Sequence, residues 1–152
     1  MSINITLDQS SLDEVDKLTQ QVIDNAGKAI AEQLVNLVEN ILAEARSNLQ
    51  NNSSVVTGEL VGSLKIFDVT ENSVEFGSDL PYAAYVEFGR GPVNPVNKKF
   101  LHFFTKDGKE VFTKHVGPAE PRPFLEPAIL RYLPRFGDQL AADERISPAD
   151  AK

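Results

Sequence analysis

The chain has 152 residues with 41% hydrophobic and 24% charged side chains, a length and composition that suit one soluble globular domain with a single core. It has no cysteine, which excludes disulfides, thiolate metal sites and cysteine nucleophiles and agrees with synthesis in a reducing cytoplasm. The net charge is −7, no run approaches the roughly 18 apolar residues of a membrane span, and the opening MSINITLDQS has neither the basic nor the apolar region of a secretion signal.

In chain order, SINITLD alternates Ile3, Ile5 and Leu7 with polar residues, which predicts a strand with one buried face. Ser11 and Glu14 stand at capping-box spacing. Val15, Leu18, Val22, Ala26, Ile30, Leu34, Leu37, Ile41 and Ala45 then recur every three or four residues and predict a helix as far as Leu49. Unbroken, it would be roughly 35 residues and about 50 Å long. A core of this size needs less, so either Gly27 interrupts the helix or one end projects. SNLQNNSS, rich in residues that prefer caps and turns, ends it.

Two strands are predicted at Leu64 to Val69 and Val74 to Gly77, turning at Glu71-Asn72. KFLHFFTKDGKEVFTKHV reads as a second hairpin about a two-residue Asp107-Gly108 turn. That register sets Lys106 against Lys109, His102 against Thr113 and His115 against Phe100. Between the hairpins lies YAAYVEFG, one amphipathic turn with Tyr82, Val86 and Phe88 inward, followed by a Gly/Pro/Asn-rich loop. GPAEPRPFLEPAIL carries four prolines and then turns apolar. It reads as a strut that fixes the entry of Phe124 and Leu125 into the core, with Pro127 in the first turn of a last helix that Pro134 must break or kink. The expected architecture is α+β: a mainly antiparallel sheet of about five strands packed with a long N-terminal helix and a shorter C-terminal one. One domain is expected over residues 1–143, with a disordered tail at 144–152.

Chemistry is sparse. His102 and His115 fall on opposite strands, offset diagonally, and read as incidental rather than catalytic or metal-binding. Gly89-x-Gly91 lacks a third glycine, and TGELVGS lacks the Lys-Ser/Thr ending of a phosphate loop. Glu87, between Val86 and Phe88, is a lone carboxylate and makes no general-acid mechanism. No catalytic residue, cofactor site or metal site is assigned. Acids dominate before Leu60, whereas bases dominate from Arg90 to Arg135. That polarity suits head-to-tail attraction between copies or steering of a charged partner. The basic region, with Phe100, Phe103, Phe104 and Phe112, admits a single-stranded nucleic-acid module as an alternative. Phe104 and Phe112 are expected on the buried side of the hairpin, which counts against that alternative.

Three segments occur in a telling order: TGELVGSL (Thr57, Gly58, Leu60, Ser63, Leu64), YAAYVEFG (Tyr82, Val86, Glu87, Phe88, Gly89) and PRPFLEPAI (Arg122, Pro123, Phe124, Leu125, Pro127, Ala128). Together they resemble the tail-component family of long-tailed double-stranded-DNA bacteriophages, also described as neck or tail-completion proteins. One departure is Arg90, where the family commonly continues EFG with Thr, so a polar cap of that loop is expected to be missing. The resemblance implies a non-enzymatic protein that works as a homo-oligomeric ring, a hexamer among the options, at the head–tail junction. Its partners would be connector and tail proteins, with DNA passing through the channel without sequence-specific contact and no membrane involved. It would reside in the host cytoplasm during assembly and in the virion afterwards. Partner contacts are expected in the loop from Arg90 through Lys98 and Lys99 and at the hairpin tip, Lys106 to Lys109.

Overall fold

The structure is a computed structural model that describes residues 9–52, 58–105 and 107–146. The strand expected at Ile3 to Leu7, Thr57 and Lys106 lie outside the described residues. The elements in order are α1 (Gln9–Asn51), α2 (Gly58–Ser63), β1 (Lys65–Val69), β2 (Val74–Gly77), α3 (Ala83–Phe88), β3 (Leu101–Phe104), β4 (Glu110–Thr113) and α4 (Leu125–Tyr132). A single 3₁₀ turn, Leu133–Arg135, leads into α5 (Phe136–Ala142). Pro134 therefore interrupts the last helix, as its missing N–H requires.

The expected sheet of about five strands is not formed. The described strands make two separate two-stranded sheets, β1–β2 and β3–β4. The segment after β4 gives the reason. Beyond Thr113 the chain meets 90–93 only through isolated bridges, Val93 with Val116 and Arg90 with Ala119. Pro118, Pro121 and Pro123 have no N–H with which to extend a ladder.

Residue contacts divide the chain into two compact units. One takes Met1–Ile41, Ile66–Phe76 and Leu130–Lys152; the other takes Leu42–Lys65 and Gly77–Ile129.

In the first unit, α1 runs through Gly27 without a break, so the alternative of a projecting end is the one realised. Ser11 lies inside the helix rather than at its cap. Ala29, Leu37, Val38 and Ile41 are buried, at the three- and four-residue spacing of one helical stripe. N-terminal to Ala26 the same stripe is in water, and Val22 is 62% exposed. Thr70 closes the β1–β2 turn at the expected place, its N–H donating to Ser73 O at 2.8 Å. After α5, Asp143 and Arg145 tie the chain back to α1. Gln33 Nε2 donates to Asp143 Oδ2 at 3.0 Å, and Arg145 bonds Glu32 Oε2 at 2.6 Å and Asp143 Oδ2 at 2.8 Å.

The Arg145 guanidinium, then its backbone N–H and Gln33, hold the Asp143 carboxyl well below the usual carboxylate range. A depressed carboxyl adds stability above its unfolded pKa and loses it as pH falls through the folded value. Acidification should therefore begin to loosen α5 below about pH 4, and the loss should grow as pH falls toward the depressed folded value. Amide protection factors in Phe136–Ala142 should fall in acid in the wild type, whereas Asp143→Asn should already show the lowered protection at neutral pH. A flat acid profile would remove this tie from the account.

In the second unit, Leu42, Ala45 and Leu49 of α1 are buried, as are Leu60, Leu64, Phe124 and Ala128. Polar groups fasten the edges of this core. Arg46 donates to Leu64 O at 2.6 Å and Asn48 Nδ2 to Phe124 O at 3.0 Å. Ser63 Oγ donates to Leu60 O at 2.8 Å and lies 2.7 Å from Ser78 Oγ.

The β3–β4 hairpin differs from expectation by one residue. Its pairs are Leu101 with Thr113, His102 with Phe112, Phe103 with Val111 and Phe104 with Glu110. The loop has three residues rather than two, because Thr105 N–H donates to Lys109 O at 2.8 Å and Gly108 N–H to Thr105 O at 2.9 Å. Gly108 takes φ +73°, the left-handed position that a three-residue hairpin loop places last. The Thr105 hydroxyl, accepting from Lys109 N–H at 3.1 Å, favours this longer closure.

Candidate interaction surfaces

The second and third sequence segments meet at the start of α4, and the first reaches the second through Glu59 and Tyr82. Helix α3 turns Ala83, Val86 and Glu87 inward and leaves Tyr85 and Phe88 outward. This overturns the expected inward Phe88, which is 74% exposed, whereas Glu87 is 7% exposed. In a six-residue helix, 83, 86 and 87 share one face and 88 belongs to the next.

The buried Glu87 carboxylate caps α4. Its Oε2 accepts from Phe124 N–H at 2.8 Å and Leu125 N–H at 3.0 Å, and its Oε1 accepts from Glu126 N–H at 2.8 Å. The next residue, Pro127, has no N–H to satisfy. One side chain from α3 thus completes the hydrogen bonding that a helix start leaves open, and its charge suits the positive end of the helix. This explains why EFG and PFLEP go together. Sequence reasoning missed it because a lone carboxylate between two apolar residues reads as an exposed break in a packing face.

The proline strut is set by the same junction. Val116, Ala119 and Arg122 donate backbone N–H bonds to Val93 O, Arg90 O and Val86 O at 2.9, 2.9 and 2.8 Å. Gly89 lets the strut approach. It has φ +74° and ψ −179°, a region that is essentially glycine's alone. A Cβ there would lie 2.7 Å from Ala119 O and 2.9 Å from Pro121 N. Gly89→Ala should cost about 2–4 kcal/mol from backbone strain plus overpacking. A urea midpoint equal to the wild type's would mean the strut can move aside freely.

The other expected residues are dispersed around this junction. Gly58 opens α2, Leu60 is buried, and Tyr82 Oη donates to Glu59 Oε2 at 3.4 Å. Pro123 and Pro127 are exposed, and Leu125 is half-buried. Arg90, Arg122, Tyr82, Tyr85 and Pro118 border an open groove of about 660 Å³ beside the strut. Directly after EFG, the Arg90 backbone pairs with Ala119, N–H to O at 2.9 Å in each direction.

Lys98, Lys99 and Lys109 are exposed around the β3–β4 hairpin. Phe104 and Phe112 are 64% and 63% exposed, against the expectation that they face a core. The one-residue register change puts them with His102 on one face. The His102 ring stacks on Phe112 at 4.5 Å and meets Phe104 edge-on at 5.3 Å. Its Nε2 lies 2.8 Å from Glu110 Oε1, and Lys114 lies over the Phe100 ring at 5.6 Å. His115 instead reaches Asn94 Oδ1 at 2.8 Å, so the two histidines have different partners. Among the described residues no group of three or more His, Asp or Glu is arranged to hold a metal ion.

Residues 10–89, just over half of the chain, match the family described as "Bacteriophage HK97-gp10, putative tail-component". The chain belongs to this family of phage tail components. The match takes in α1, the GELVGSL segment and the turn through Glu87 to Gly89, whereas PRPFLEP and the β3–β4 hairpin lie beyond it. Neither the curated proteins nor the solved structures return a match.

Proposed function

We propose that the chain is a tail-completion or neck protein of the head–tail junction. In this reading identical subunits close into a ring between connector and tail, around the channel through which DNA leaves. The subunit is made in the host cytoplasm and ends in the virion, and its role is structural rather than catalytic. The observation that supports this most is the amount of large apolar surface left in water. Leu12, Val15, Leu18, Val22 and Ile23 on α1 and Phe104 and Phe112 on the hairpin are all exposed. Contiguous apolar patches of this kind mark surfaces that partners cover. Lys98, Lys99, Lys106 and Lys109 supply the charge that would steer and orient a partner.

The test is genetic. A phage in which this gene is disrupted should accumulate filled heads and separate tails, and the purified protein should restore infectivity when added to such a lysate. Normal joined particles from the disrupted phage would end the junction reading. Lys109→Glu should lower the infectious yield at least tenfold while the melting temperature stays that of the wild type.

A second reading has one observation in its favour. Phe104 and Phe112 are exposed among lysines, a combination that would suit stacking against single-stranded nucleic acid. It calls for binding that falls steeply with salt, measurable by fluorescence anisotropy on a labelled oligonucleotide.

A further inference from the structure

We infer that the acidic N-terminal half of α1 docks on the aromatic face of the β3–β4 hairpin of a second copy of this chain. The inference rests on the proposed self-assembly and names the two surfaces that carry it. On a helix at about 100° per residue, Leu12, Val15, Leu18, Val22 and Ile23 form one stripe, bordered by Glu14 and Asp16. All five apolar side chains are exposed. The segment 9–24 holds four acids and one lysine. Pairing two such stripes would therefore set like charges against each other, which disfavours a helix-to-helix contact.

The hairpin offers the complement. Segment 98–114 holds five lysines against two acids, and one of those acids, Glu110, is already engaged by His102. Its Phe104, Phe112 and His102 face is open to water, whereas Leu101, Val111 and Thr113 on the opposite face are half-buried. A two-stranded hairpin with an uncovered aromatic face is marginal alone and gains from a third layer. The dimensions agree as well: four-residue strands span about 13 Å, and Leu12 to Val22 rises about 15 Å. A contact between two different surfaces leaves the hairpin face of one copy and the helix stripe of the other unused. It therefore continues from copy to copy and closes into a ring if the rotation permits.

The experiment uses two doubly substituted full-length chains. One carries Val15→Asp and Val22→Asp, the other Phe104→Ser and Phe112→Ser. All four side chains are exposed, so both variants should keep the far-ultraviolet dichroism and melting point of the wild type. In sedimentation velocity from micromolar to millimolar concentration, the wild type should self-associate and each variant should do so at least tenfold more weakly. A one-to-one mixture should then form a discrete heterodimer, because one intact helix stripe still meets one intact hairpin face. A monomeric wild type, a variant that self-associates normally, or a mixture that stays monomeric would each overturn the contact. So would single-stranded DNA binding lost in the hairpin variant while self-association is unchanged.

Charge exchange gives a second route that does not depend on core packing. Glu14→Lys with Asp16→Lys should weaken assembly, and Lys109→Glu with Lys114→Glu should do the same. Mixing those two chains should restore it, and failure to restore it overturns the pairing. If no heterodimer forms while the phage still needs the chain to join heads to tails, the contact is wrong and the junction reading survives. If the heterodimer forms while the disrupted phage assembles normally, the contact stands and the junction reading falls.

Discussion

Glu87→Ala should cost about 3–5 kcal/mol and should melt the start of α4 before anything else. The substitution strands three backbone N–H groups at once, those of Phe124, Leu125 and Glu126. Each stranded buried donor costs about 1–3 kcal/mol, and the two nearer the surface recover part of that through water. Folded domains are stable by only about 5–15 kcal/mol, so the loss is a large share of the whole. Glu87→Gln separates charge from shape. Its single carbonyl oxygen can accept only some of the three bonds, and its NH₂ meets another donor, so it should fall between wild type and alanine. Glu87→Asp is shorter by one methylene and should not rescue. Urea unfolding with amide exchange at Leu125–Tyr132 is the measurement. A glutamine variant as stable as the wild type would show that the carboxylate is not what holds the helix start.

Phe124→Ala should cost about 3–5 kcal/mol, the usual range for a buried aromatic. The upper end is expected because the site cannot collapse. Phe124 is 3% exposed, and its backbone is fixed on both sides: the N–H by Glu87 and the carbonyl by Asn48 Nδ2. Phe124→Leu, which keeps most of the volume, should cost under about 1.5 kcal/mol. Because the two residues share one junction, the Glu87→Ala and Phe124→Ala losses should not add. A double variant that loses the sum of the two would mean they are independent. An alanine variant with an unchanged melt would take Phe124 out of the core.

The long-range features of the fold were the least legible in the sequence. Helix α1 was visible from its three- and four-residue spacing, and Pro127 and Pro134 announced the start and the break of the last helix, because proline's missing N–H acts locally. Periodicity says which face of α1 is apolar, but not that the face is buried only from Ala29 onward. Burial depends on what else the chain brings there. Asp107-Gly108 signalled a hairpin correctly, yet the Thr105 hydroxyl decided for a three-residue loop, and that single residue brought Phe104 and Phe112 onto one face, where both are exposed. Glu87 was hardest. Its role needs a helix start that arrives 37 residues later, and no pattern inside YAAYVEFG contains that information.

The strut from Val116 to Arg122 has a further consequence for how this chain can change. Its donors to the neighbouring segment fall at every third residue, and Pro118 and Pro121 occupy positions between them, where no donor is required. The segment has no helix or strand and would ordinarily pass for a connection that tolerates added or lost residues. Here the count itself is fixed. One residue more or fewer would carry a proline onto a donor position, shift the point opposite Gly89 and bring α4 to Glu87 out of phase. Among related chains, substitutions should be common along this stretch while its length stays constant. Insertions should accumulate instead in connections that nothing measures.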